Sequence, residues 1–146
     1  MTTLPSEMTS SIEDYLEAIL RLEGGRGYVR AKELAGRLGV TNASISSIMP
    51  KLGRMGLVAY ERYAPIRLTP RGRRMAKGIL RREEVLVTFF QEVLGISAEK
   101  AREEACRMEH EISPASIERL EAFLKFLRAQ PRALQGWMSA EDGGRS

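Results

Sequence analysis

Cys106, Glu109 and His110 stand at i, i+3 and i+4, a spacing that puts all three on one face of a helix. They offer a thiolate, a carboxylate and an imidazole, each a good ligand for a first-row transition ion. No other cysteine or histidine occurs in the chain, so its softest donors fall within five residues. The same spacing also suits a half-buried cysteine beside a surface histidine, and these residues alone leave both readings open. Asp14 and Glu17 form a carboxylate pair at i, i+3, able either to bind a cation or to stabilise the dipole at the start of a helix. Glu83 adds a further acid, with arginines nearby in sequence that could equally pair with it.

Such residues need helices to hold them, and the apolar periodicity supplies these. Ile12, Tyr15, Leu16, Ile19 and Leu22 repeat with a helical period over 10–21, and Ser10 with Glu13 has capping-box spacing. Gly24-Gly25-Arg26-Gly27 ends that helix. After an extended Tyr28-Val29-Arg30, a second helix is predicted over 31–38 and stopped by Gly39. A third, capped by Thr41 or Asn42, is predicted over 43–54. Pro50 lies inside it and should kink or end it, at a cost of about 3 kcal/mol unless accommodated.

The run from Leu57 to Tyr63 reads as a strand, Ala64-Pro65 as a turn and Ile66-Arg67-Leu68 as the returning strand. Thr69-Pro70 starts a long helix reaching about Leu94, where Gly95 stops it. Ser97 caps a helix over 98–112, and Ser113-Pro114 starts another ending near Leu127. Pro131 and the closing Gly143-Gly144-Arg145-Ser146 read as a tail. The fold class is mainly α: an N-terminal winged helix-turn-helix over 1–72, then an all-helical domain over 73–146, linked by the long helix at about 70–94.

A chain of 146 residues has room for one core or two small lobes. No apolar run is long enough to span a membrane, and a single cysteine, unable to form an intrachain disulfide, fits a reducing cytoplasm. The net charge of +4 conceals an asymmetry: from Lys51 to Arg82 ten basic residues stand against one acid, Glu61, whereas over 83–121 ten glutamates outnumber four basic residues. That order points to polyanion binding by the first region and to a cation-related or assembly role for the second.

Two short helices joined by Gly39-Val40-Thr41-Asn42 and followed by a hairpin match a winged helix-turn-helix, whose second helix enters the major groove while the wing follows the backbone. Thr41, Asn42, Ser44, Ser46, Ser47 and Lys51 are candidate DNA contacts from that helix, and Arg62 and Arg67 from the wing. Small hydroxyl side chains permit close approach but give modest direct readout of bases.

Four segments together resemble the diphtheria-toxin-repressor family of metal-dependent regulators, in the short form that includes manganese transport regulators and has no C-terminal SH3-like domain. They are Glu13-Asp14-Tyr15-Leu16-Glu17, the helix-turn-helix ending in Gly56-Leu57-Val58, Leu68-Thr69-Pro70-Arg71-Gly72, and Glu104-Ala105-Cys106-Arg107-Met108-Glu109-His110-Glu111. The resemblance runs through about residue 128 and includes the order of elements. It implies that the second domain dimerises and binds metal, with Asp14 and Glu17 at first-helix ligand positions of the manganese-type branch. Cys106 falls where iron-type members have a cysteine and manganese-type members a glutamate, and Glu109 and His110 match ligands of both. Glu83 stands where the family usually has a metal-binding histidine, a departure that a carboxylate can still bridge.

The function implied is a homodimeric transcriptional repressor of metal homeostasis. A divalent ion clasps the first helix to the dimerisation lobe and sets the spacing of two recognition helices for a palindromic double-stranded operator. The mixed donor set leans to Fe2+ over Mn2+, while Zn2+, Co2+ and Ni2+ also suit a thiolate and an imidazole. The alternative is a winged-helix regulator sensing an organic ligand or thiol oxidation at Cys106. No phosphate loop or nucleophile–base pair supports an enzyme. Apolar surface for the dimer, or for the monomer core, is offered by Leu86, Phe89, Phe90, Ile117, Leu120, Phe123, Leu124 and Leu127.

Overall fold

The computed structural model describes residues 10–143. The chain divides into two compact units, the first reaching Leu80 and the second starting at Arg81. The first contains α1 (Ser10–Glu23), α2 (Ala31–Leu38), α3 (Asn42–Arg54), β1 (Val58–Ala59), β2 (Arg67–Leu68) and the start of α4 (Pro70–Thr88). Leu16 and Ile19 of α1, Leu34 of α2, and Ile45, Met49 and Leu52 of α3 have no exposure and form one core with Leu57 and Ile66. Gly39 ends α2 in the left-handed conformation that a side chain resists, with φ 66° and its N–H on the Ala35 carbonyl. The side chain of Ser10, and with it the expected capping box, lies outside the described residues.

The third helix runs to Arg54 as its periodicity predicts, and Pro50 inside it does not end it. Pro50 and Ser46 are both exposed, so the carbonyl left without an amide partner belongs to a residue in contact with water. The hairpin strands are only two residues each, pairing Val58 with Leu68 and Ala59 with Arg67. Ile66 pairs instead with Val29, each N–H donating to the other's carbonyl at 2.8 Å. That leaves the segment between Ala59 and Ile66 as a loop, with a turn in which the Ala64 N–H donates to the Glu61 carbonyl at 3.0 Å.

Thr69 joins wing to long helix: its hydroxyl donates to the Gly56 carbonyl at 2.6 Å and accepts from the Gly72 N–H at 3.0 Å. Farther along, Arg73 of α4 makes a two-pronged ion pair with Glu23 of α1, with Nη2 at 3.0 Å from Oε2.

The second unit holds the end of α4, a π-helical segment (Phe89–Val93), α5 (Ala98–Met108), α6 (Pro114–Arg128) and α7 (Pro131–Gly143). Its core is Val85, Leu86, Phe90, Val93, Ala101, Ala105, Ile117 and Leu124. Arg81 of α4 forks onto Glu121 of α6 at 2.8 and 2.6 Å. The expected tail is a helix: Pro131 begins α7 instead of marking an end, Leu134 packs on the core, and the Trp137 indole N–H donates to the Val93 carbonyl at 2.6 Å. The helix expected to reach Ile112 ends at Met108, whose carbonyl accepts from both Glu111 and Ile112 N–H groups in a tightened turn. Pro114 bars any extension of the helix past that turn, since the residue before a proline is driven out of the helical region, and Ser113 has ψ 152°.

Candidate nucleic-acid interface and metal centre

Burial of Ile45, Met49 and Leu52 on one side of α3 leaves Asn42, Ser44, Ser46 and Ser47 exposed on the rest of its surface, with Lys51 half-buried. Thr41 caps the helix: its hydroxyl accepts from the Ser44 N–H at 3.1 Å and lies 3.0 Å from the Ser44 hydroxyl. The helix therefore presents a row of small polar groups without an acid among them, a surface that a polyanion can approach closely.

Arg62 and Arg67 are exposed on the wing. Arg67 also donates to the Gly27 carbonyl at 3.4 Å and stands 5.5 Å from the Tyr28 ring centre, with Arg26 at 5.0 Å and Arg30 at 5.9 Å from the same ring. This arginine ring around Tyr28 was not foreseen. Arg26 and Arg30 flank Tyr28 in sequence, but only the Val29–Ile66 pairing brings in Arg67. Arg26 is also held by Glu33 at 2.7 Å, which pushes the Glu33 carboxyl below its ordinary range.

The candidate metal ligands fall in both units. Asp14 and Glu17 lie on α1, where Glu17 accepts from Arg21 at 3.0 and 3.2 Å. In the second unit Glu109 is the centre: its side chain has no exposure, and its carboxylate lies within 4.8 Å of ligand atoms of Glu83 and of His110. The His110 Nε2 is 3.4 Å from Glu109 Oε1. Ala101, Ala105 and Glu109 follow at i, i+4 and i+8, all at zero exposure, so the carboxylate continues the buried stripe of α5. Two alanines in that stripe let the helix pack closely.

Cys106 does not share this setting. It follows Ala105 by one residue, about a quarter-turn round the helix, and is exposed. Among the described residues it joins no set of three ligand atoms within 4.8 Å of one another. The i, i+3, i+4 spacing therefore holds in sequence, but the three side chains meet different environments.

Residues 7–65 match the family described as iron dependent repressor, N-terminal DNA binding domain, and residues 69–137 match its metal binding and dimerisation domain. An HTH-type transcriptional regulator of Methanocaldococcus jannaschii is 39% identical over 119 residues, 81% of this chain and 95% of that one. The chain belongs to the iron-dependent repressor family. Like its other members, it is a metal-dependent, DNA-binding transcriptional regulator and not an enzyme.

A second relative in the iron-dependent repressor family, the HTH-type transcriptional regulator MntR of Lysinibacillus sphaericus, is 31% identical over 123 residues, 84% of this chain and 88% of that one. Among solved structures, a manganese-dependent transcriptional repressor in complex with manganese matches with a TM-score of 0.71 and 34% identity over 79% of this chain. The structure of ScaR with bound Zn2+ matches at 0.68 and 29% over 79%. The chain spans about half the length of these two, 53% and 54%. Among its described residues no helix is long and apolar enough to cross a membrane.

Proposed function

We propose that the chain is a homodimeric cytoplasmic repressor that binds a palindromic double-stranded operator when loaded with Fe2+ or Mn2+. The observation that carries this reading is the buried Glu109 carboxylate with donors of Glu83 and His110 within ligand reach. A carboxylate shut off from water is ordinarily paired or coordinated, and two carboxylates with an imidazole suit either ion. Asp14 and Glu17 are the further ligands proposed, supported by their match to first-helix ligands of the family. Cys106 is the sulfur candidate one turn before Glu109.

A bound divalent cation would supply the positive charge that offsets these acids. Without it Glu83 and Glu109 repel each other, which loosens the helices that carry them. With the acids neutralised, the recognition surface of Thr41, Asn42, Ser44, Ser46, Ser47 and Lys51, with Arg62 and Arg67, is held ready for DNA. Linkage then requires that DNA tighten metal binding by the same factor that metal tightens DNA binding.

The test is duplex binding with Mn2+, Fe2+, Zn2+ or a chelator under reducing conditions. Glu109→Gln and His110→Ala should each lose the metal-dependent gain, while the dimer persists in sedimentation. DNA binding indifferent to metal and chelator alike would sink the reading. The exposure of Cys106 favours a second reading in which thiol oxidation is the signal. Cys106→Ser separates the two, because it abolishes a response to oxidant but leaves a response to a metal held by carboxylates and His110.

A further inference from the structure

The wing carries a side chain that its fold does not need. Tyr63 is 93% exposed and has φ 68°, alone among the described non-glycine residues in the left-handed region. A bulky residue held there is strained, and the ring buries almost nothing in return. Beside it, Arg62 lies over the ring, its guanidinium carbon 5.1 Å from the ring centre. A cation and a phenol are thus held together at the tip of the loop.

Behind that tip runs an open groove of about 590 Å³ between α3 and the wing, whose lining includes Arg30, Ser46, Pro50, Tyr60, Arg62 and Tyr63. Arginines line it and no acid does. It connects the outer surface of the recognition helix to the wing tip.

We propose that Tyr63, with Arg62 stacked on it, is an arm that grips the DNA backbone. The phenol hydroxyl donates to a phosphate oxygen and the guanidinium neutralises a phosphate of the duplex that α3 reads. The inference rests on the DNA-binding reading above and adds to it a residue, a contact type and a reason for the strain. Strain kept at an exposed tip is accounted for when the conformation serves a contact made only in the complex. Stacking the arginine on the ring also reduces the side-chain freedom lost on binding.

The experiment uses the full chain with saturating Mn2+ and a short fluorescent duplex of mixed sequence, titrated over a range of salt. Tyr63→Gly should weaken binding about tenfold while leaving Tm unchanged or raised, because glycine relieves the backbone. Tyr63→Phe should lose most of the same affinity, since it lacks the donor. Arg62→Gln should make the fall of log affinity with log salt less steep by about 0.9. If the parent binds and Tyr63→Gly binds equally well, the wing-tip arm is overturned and the regulator reading stands. A drop in Tm for Tyr63→Gly would also overturn it, by giving Tyr63 a role in the fold. A parent chain that ignores the duplex in every metal state would overturn the regulator reading, and the arm with it.

Discussion

At Gly72 a methyl group would sit 1.9 Å from the Leu57 carbonyl oxygen, a backbone atom that already accepts the Thr69 N–H at 3.0 Å. Neither side can yield, because Leu57 is buried at 1% exposure and Thr69 is tied to Gly56. Gly72→Ala should therefore destabilise the first unit by about 3 kcal/mol, read as a shift in urea midpoint with metal absent. Gly78, on the same helix with open space around it, is the control: Gly78→Ala should be neutral or stabilising by about 0.5–1 kcal/mol. Glu109 shows the same dependence on surroundings. Its chemistry was legible from its type, but its burial follows from its place in line with Ala101 and Ala105.

Between elements, the pair of Glu23 and Arg73 fastens the end of α1 to the first turns of α4. The Glu23 side chain is only 6% exposed while that of Arg73 keeps 34%, so removing the arginine strands a nearly buried carboxylate. Arg73 is held charged more firmly than usual by its hydrogen bonds to Glu23. Arg73→Met should cost about 2 kcal/mol, below the range for a fully buried pair because water reaches the arginine. Adding Glu23→Gln should restore part of the loss, and a double-mutant cycle by chemical denaturation checks both values. Since α1 also carries Asp14 and Glu17, the single variant should weaken Mn2+ binding as well.

For the whole molecule, the core of the second unit divides the apolar residues that sequence left undivided. Leu86, Phe90, Ile117 and Leu124 are buried in the monomer, whereas Phe123 keeps 44% of its surface in water; Phe126, which that set did not include, keeps 57%. These two stand at i, i+3 on α6, inside the region matching the dimerisation domain. A homodimer formed through that face should be weakened at least about 30-fold by Phe126→Glu, the loss expected for an aromatic anchor. Sedimentation velocity would show a monomer, and far-ultraviolet circular dichroism an unchanged helix content. A dimer unaffected by Phe123→Glu and Phe126→Glu together would place the interface elsewhere.

Periodicity, caps and donor chemistry are local properties, so most of the helices, the winged helix-turn-helix and the ligand types are legible from the residues alone. The sequence also carried the family through four short segments. Tertiary structure decided what depends on distant neighbours. Pro50 is tolerated because Ser46 is exposed, Pro131 opens α7, where Leu134 and Trp137 find partners in the second unit, and the wing shortens because Ile66 pairs with Val29. The spacing of Cys106, Glu109 and His110 was a sequence fact. Which of them enters the buried stripe of α5 was not, since a hundred degrees per residue separates Ala105 from Cys106 and packing alone chooses the side that faces inward.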